Sequence, residues 1–125
     1  MRLATFIPTG SDTPLAGEVT GGRVTAFGDG STVLDRLRSG DRTPARGEAW
    51  PLADVRLLAP VPRPRAIFCI GRNYAAHAGE LGNEVPPAPI VFLKLPSSST
   101  APNDPVAVPA AAAGRLDYEG ELVVV

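Results

Sequence analysis

The sequence predicts an α+β architecture that is rich in β-structure. Short apolar or β-branched runs recur between Gly and Pro punctuation, a two-glycine step separates two such runs, and few segments carry helix start and stop signals. The elements follow in chain order. Glu18-Val19-Thr20, then Gly21-Gly22, then Arg23 to Phe27 predict a tight hairpin, because primed two-residue turns need positive φ. Ser31 is placed to cap a short helix on which Val33, Leu34 and Leu37 share a face, and Gly40 ends it. Asp41 to Glu48 reads as a surface loop and Val55 to Leu58 as a short strand. Pro60, Pro62 and Pro64 then hold an extended connector.

The second half begins with the continuous apolar run Ala66 to Ile70, bounded by Gly71, which predicts a buried strand with Cys69 as a core thiol. Asn73 is placed to cap a helix running to about Leu81, with Gly82-Asn83 as its stop. Pro86, Pro87 and Pro89 lead into a strand over Ile90 to Lys94. Ser97 to Asn103 is a loop, Asp104 to Pro109 an edge-like strand, and Asp117 onward strand again. The division expected is a small β-rich subdomain over residues 1–59 and a second domain over 60–125. Because Glu121 to Val125 reads as an apolar, β-branched strand that ends with no turn residue or charge, the expectation is a truncated chain whose last strand pairs with something further.

Composition excludes several classes. With 12 basic and 13 acidic residues the formal net charge is −1, so there is no basic field for nucleic acid or an anionic membrane. Cys69 is the only cysteine, which rules out an intrachain disulfide and suits a reducing compartment. The N-terminal residues lack a secretory pattern. No apolar run reaches the roughly 20 residues that span a bilayer. A cytoplasmic protein without nucleic-acid or membrane partners is expected.

The rare polar residues point to chemistry. His77 is the only histidine, and Glu80 lies three positions on, so a helix would set the carboxylate beside the imidazole. Such a partner orients the ring and favours its protonated form, as a general base near neutral pH requires; a surface helix pair satisfies the same spacing. On a strand, Asp117, Glu119 and Glu121 would face one way, either as oxygen ligands for Mg²⁺, Mn²⁺ or Ca²⁺ or as a solvated edge. Lys94 at a strand end and Arg72 after Gly71 are placed to hold an anion or simply to meet solvent.

Cys69 to Glu80, Pro89 to Ser98 and Leu116 to Leu122, in that order and spacing, resemble the fumarylacetoacetate hydrolase family. The resemblance runs from about Pro60 to the end, and Arg72-Asn73 ahead of Tyr74 makes it closest to smaller bacterial, acylpyruvase-like members. It implies the first part of that family's mixed β-sheet barrel or roll. It implies Glu119 and Glu121 as metal ligands for Mg²⁺ or Mn²⁺, with a further acidic ligand beyond this sequence. It implies His77 and Glu80 as a water-activating dyad on a lid, and Arg72, Tyr74 and Lys94 in the substrate site. The activity implied is metal-dependent C–C hydrolysis of a 2,4-dioxo acid such as an acylpyruvate or fumarylpyruvate, by a homodimer in complete form. The alternatives are a related isomerase, hydratase or oxaloacetate decarboxylase, or an inactive subunit bound to a partner. A free-standing cation-binding module is a third reading.

Overall fold

The computed structural model describes residues 1–80, 82 and 84–125, with the backbone alone for residues 77, 78 and 80. The chain divides into two compact units, Met1–Pro62 together with Thr100–Val125, and Arg63–Ser99.

In the first unit, strands β1 (Leu3–Pro8), β2 (Leu15–Thr20), β3 (Arg23–Ala26), β4 (Ala49–Pro51) and β5 (Val55–Leu58) form one sheet in the order β4-β3-β2-β1-β5. Every ladder is antiparallel, and the sheet lies within the stretch 1–59 for which a small β-rich subdomain is expected. The β2–β3 hairpin forms as its sequence predicts. Gly21 and Gly22 take φ of 56° and 78°, and Thr20 pairs with Arg23 across them. Gly17 is required for another reason: a Cβ there would stand 2.0 Å from the Thr25 carbonyl oxygen. Phe6 and Val24 are fully buried, flanked by Ala4 and Ala26, and the Trp50 ring tilts against Phe6 at 5.6 Å between centroids. Thr5 donates to the Pro60 carbonyl at 2.7 Å, tying the chain just past β5 back to β1.

Helix α1 (Val33–Ser39) is capped by Thr32, not by Ser31 as expected. Thr32 Oγ1 accepts from the Asp35 amide at 3.1 Å, while the Asp35 carboxylate accepts from the Thr32 amide at 2.9 Å, a reciprocal capping box. Ser31 is engaged elsewhere, donating to Asp29 and accepting from Arg36. The inward face also differs: Val33 and Arg36 are buried while Leu37 is 43% exposed. Arg36 reaches inward because its charge is fully engaged, with Asp29 at 2.8 Å, Asp41 on its other side, and the Phe27 ring 4.3 Å beneath. Gly40 ends the helix at φ 66°, as predicted.

The rest of this unit, Thr100–Val125, holds a 3₁₀ turn at Ala110–Ala112 and no strand. The strands expected at Asp104 to Pro109 and from Asp117 are therefore absent. A strand exists only through its ladder, Pro105 and Pro109 each lack a donor, and neither segment pairs with another strand among the described residues.

The second unit is a two-stranded antiparallel ribbon of β6 (Ile67–Gly71) and β7 (Ile90–Lys94), with the short helix α2 (Ala75–Glu80) in the connection. The two strands lie where the sequence predicts, but they are not buried. Phe68 is 69% exposed and Leu93 65%; a two-stranded ribbon supplies no second layer of its own. Cys69 is half-buried, not a core thiol. α2 starts at Ala75, so the cap position belongs to Tyr74 and not to Asn73. Gly82, at φ 67°, donates to the Gly79 carbonyl as the predicted stop; Leu81 and Asn83 lie outside the described residues. No helix among the described residues is long and apolar enough to cross a membrane.

Candidate active site

The β6–β7 register fixes where the candidate residues of the second unit stand. Gly71 pairs with Ile90 at one end of the ribbon, and Ile67 pairs with Lys94 at the other. Arg72 follows β6 directly and is exposed, with φ 55°. That left-handed backbone costs a non-glycine residue about 1 kcal/mol and persists only where surroundings impose it. Tyr74, 42% exposed, stands at the head of α2. α2 carries positions 77 and 80 one turn apart, as the proposed dyad needs. The side chains of His77 and Glu80 lie outside the described residues, so their contact is not part of this geometry.

Lys94 closes β7 at the far end. Since Lys94 lies opposite Ile67, it stands five residues along β6 from Arg72, roughly 16 Å at the rise of a strand. The structure thus groups Arg72, Tyr74 and α2 at one end of the ribbon and sets Lys94 apart. Neither this separation nor the Arg72 backbone has a sequence signal of its own. Register depends on pairing, and no local pattern marks an arginine for positive φ.

Glu119 and Glu121, with Asp117, lie in the exposed C-terminal stretch of the other unit. The single-face argument made for a strand does not hold there, because no ladder fixes the alternation. The Asp117 carboxylate accepts from the Tyr118 amide at 2.8 Å. These oxygen donors suit Mg²⁺ or Mn²⁺ by chemistry, but such an ion takes about six ligands. Among the described residues no three His, Cys, Asp or Glu side chains gather as a metal site. The residues present thus supply donors without building the centre.

A concavity of about 170 Å³ opens on the first unit between Met1, Leu3 and the end of α1, Arg36 to Arg42, and contains none of the candidate residues.

Comparison with known proteins bears on this arrangement. Residues 66–125 match the Fumarylacetoacetate (FAA) hydrolase C-terminal family. That stretch includes Arg72, Tyr74, His77, Glu80, Lys94, Glu119 and Glu121. The chain is 46% identical over 79 residues to Protein Rv2993c of Mycobacterium tuberculosis, 63% of this chain and 29% of that protein. It is 46% identical over 79 residues to the oxaloacetate tautomerase YisK of Bacillus subtilis, 61% of this chain and 26% of that one. A solved 5-carboxymethyl-2-hydroxymuconate delta-isomerase from Mycobacterium smegmatis superposes with a TM-score of 0.62 at 32% identity, over 90% of this chain and 39% of that chain. Residues 66–125 belong to the fumarylacetoacetate hydrolase family. The chain spans under a third of the length of these curated relatives.

Proposed function

We propose that this chain carries residues of an enzyme that moves a proton beside the carbonyl of a 2-oxo acid, as a keto–enol tautomerase or isomerase. The observation behind this reading is that all the candidate residues fall in the matched stretch 66–125, and that named relatives are a tautomerase and an isomerase. In this reading His77 takes a proton from the carbon next to the 2-oxo group and returns one to the carbonyl oxygen, so a C–H bond breaks as an O–H bond forms. Glu80 orients the imidazole and stabilises its protonated form. Tyr74, at the head of the same helix, lines the substrate. Glu119 and Glu121 contribute oxygens to a Mg²⁺ or Mn²⁺ ion, which when bound would stabilise enolate charge.

The motif of residues 71 to 80 also favours a second reading, hydrolysis of a 2,4-dioxo acid such as an acylpyruvate, with the same dyad drawing its proton from water. One experiment separates the two. The full chain with Mg²⁺ is given enol-oxaloacetate, followed by loss of enol absorbance, and separately an acylpyruvate, followed by release of pyruvate. Faster ketonisation, reduced about 100-fold or more in His77→Gln, is the expected outcome. Pyruvate release without ketonisation would establish the hydrolase instead, and full activity in His77→Gln would overturn the role of the dyad in both.

A further inference from the structure

We infer that the hollow between β1 and the end of α1 is a ligand site, and that it takes a small carboxylic acid with one apolar ring. None of the candidate residues lines it, so its occupancy neither requires nor tests the 2-oxo acid reading. The setting of α1 creates it. Each residue turns a helix by about 100°, so a helix that seats Arg36 inward carries Leu37 round to its flank. There Leu37 lines the hollow with Met1 and Leu3.

Surface, size and charge together define the occupant. Leu37 at 43% and Met1 at 47% are the exposed large apolar side chains of residues 1–62. Exposed apolar residues scattered singly are ordinary, but these two adjoin in one concavity. A body seated on them removes from water what the fold leaves uncovered. The space is about 170 Å³. That is close to the roughly 150 Å³ of an apolar cavity that accepts benzene, and smaller than a drug-sized pocket, so one ring fits. The charge selects an acid. Arg36 and Asp41 hold each other, with Asp29 on the arginine's other side and the Thr43 amide donating to Asp41. Arg42 also lines the hollow, is exposed, and among the described residues forms no ion pair. The side-chain charge left uncompensated is therefore positive, and the guanidinium fork matches the two oxygens of a carboxylate.

The test titrates the ¹⁵N-labelled full chain with benzoate, with benzamide, which has the same shape without the charge, and with acetate, which has the charge without the ring. Amide shifts report both the place and the affinity. Benzoate should give saturable shifts at Leu3 and over Leu37 to Arg42, with a Kd of about 1 mM, as suits a ligand of so few atoms. Benzamide should bind about tenfold or more weakly, and acetate should not saturate the same amides. Arg42→Gln should bring benzoate down to the level of benzamide. Arg42→Lys, which keeps the charge but loses the fork, should retain part of the preference. Leu37→Ser should weaken benzoate and benzamide alike, about threefold or more. Unchanged Trp50 fluorescence and circular dichroism in each variant show that it is folded.

Benzoate that produces no saturable shift, or shifts centred outside β1 and the end of α1, would overturn the assignment. Equal affinity for benzoate and benzamide, or a preference untouched by Arg42→Gln, would remove the acid from it. Acetate binding as tightly as benzoate, with Leu37→Ser without effect, would reduce the hollow to a surface contact between an anion and Arg42 and would likewise overturn it.

Discussion

The sheet of Met1–Pro62 and the ribbon of Arg63–Ser99 use the same material, short antiparallel strands punctuated by Gly and Pro, but only the sheet has an inside. Its strands enclose Phe6 and Val24 at no exposure, and its helix is capped at one end by Thr32 and at the other by Gly40. The ribbon leaves Phe68, Val91, Leu93 and Leu95 more than half exposed, yet it carries five of the candidate residues: Arg72, Tyr74, His77, Glu80 and Lys94. Five of the seven candidate residues thus fall outside the unit that holds the buried core, whereas Glu119 and Glu121 belong to it. The first region can be probed by what its side chains bury, the second by what its positions bind.

The sharpest way to break this contrast is a pair of phenylalanine truncations. Phe6→Ala empties a fully buried site against Trp50 and should cost about 3–5 kcal/mol, seen as a lower urea midpoint by the fluorescence of Trp50, the only tryptophan. Phe68→Ala removes a ring already 69% exposed and should move the same midpoint by less than about 0.5 kcal/mol. Comparable losses would mean that the ribbon has a core of its own. Next in size is Gly17→Ala, whose Cβ would meet backbone that cannot retreat, 2.0 Å from the Thr25 oxygen. About 1–3 kcal/mol of destabilisation is expected, with amide exchange accelerated in β2 and β3 rather than in the ribbon.

What the sequence discloses follows the same division. The hairpin at Gly21-Gly22, the stop at Gly40 and the strands Val55–Leu58 and Ile90–Lys94 are local signals and appear where the pattern puts them. Burial is not local. The run Ala66 to Ile70 looks like a core strand because apolar β-branched residues suit one, but burial needs a covering layer that no pattern within the run specifies. The strand expected from Asp117 fails likewise, for want of a ladder partner. Arg36 was missed because a mid-helix arginine reads as solvent-facing until Asp29 and Asp41 are seen to close on it. Within the candidate site, the motif identifies the residues, whereas their grouping depends on the β6–β7 register.

Arg36 stands between two acids of the sheet unit whose charged forms the fold favours. The Asp29 carboxyl is held below its ordinary value by hydrogen bonds from Ser31, with Arg36 adding to the effect; Asp41 is lowered by hydrogen bonds from Thr43, again with Arg36 beside it. Both acids have folded values below their unfolded ones. Their contribution is therefore complete above the unfolded value of 3.8 and is lost as pH falls from there through the folded values. Arg36→Met should cost about 1–2 kcal/mol at neutral pH through the lost cation–π and ionic contacts. It should also shrink the acid-induced loss only in part, because the Ser31 and Thr43 hydrogen bonds remain. A urea midpoint in Arg36→Met with the wild-type pH profile would remove the guanidinium from this account.

The smallest expected effect gives the finest comparison, since it sets one helix start against the other. Thr32 holds the Asp35 amide and Asp35 holds the Thr32 amide in return, so Thr32→Ala removes one arm of a closed box and should cost about 1 kcal/mol, with α1 amides exchanging faster. Asn73 is an equally good capping residue by type, but α2 begins at Ala75, so Asn73 stands one position too early to serve the first turn. Asn73→Ala should leave the urea midpoint within about 0.5 kcal/mol of wild type and α2 exchange unaltered. A loss from Asn73→Ala as large as that from Thr32→Ala would mean that α2 starts a residue sooner in solution. Tyr74 would then lie inside the first turn, and the group formed by Arg72, Tyr74 and α2 would have to be redrawn from its first residue.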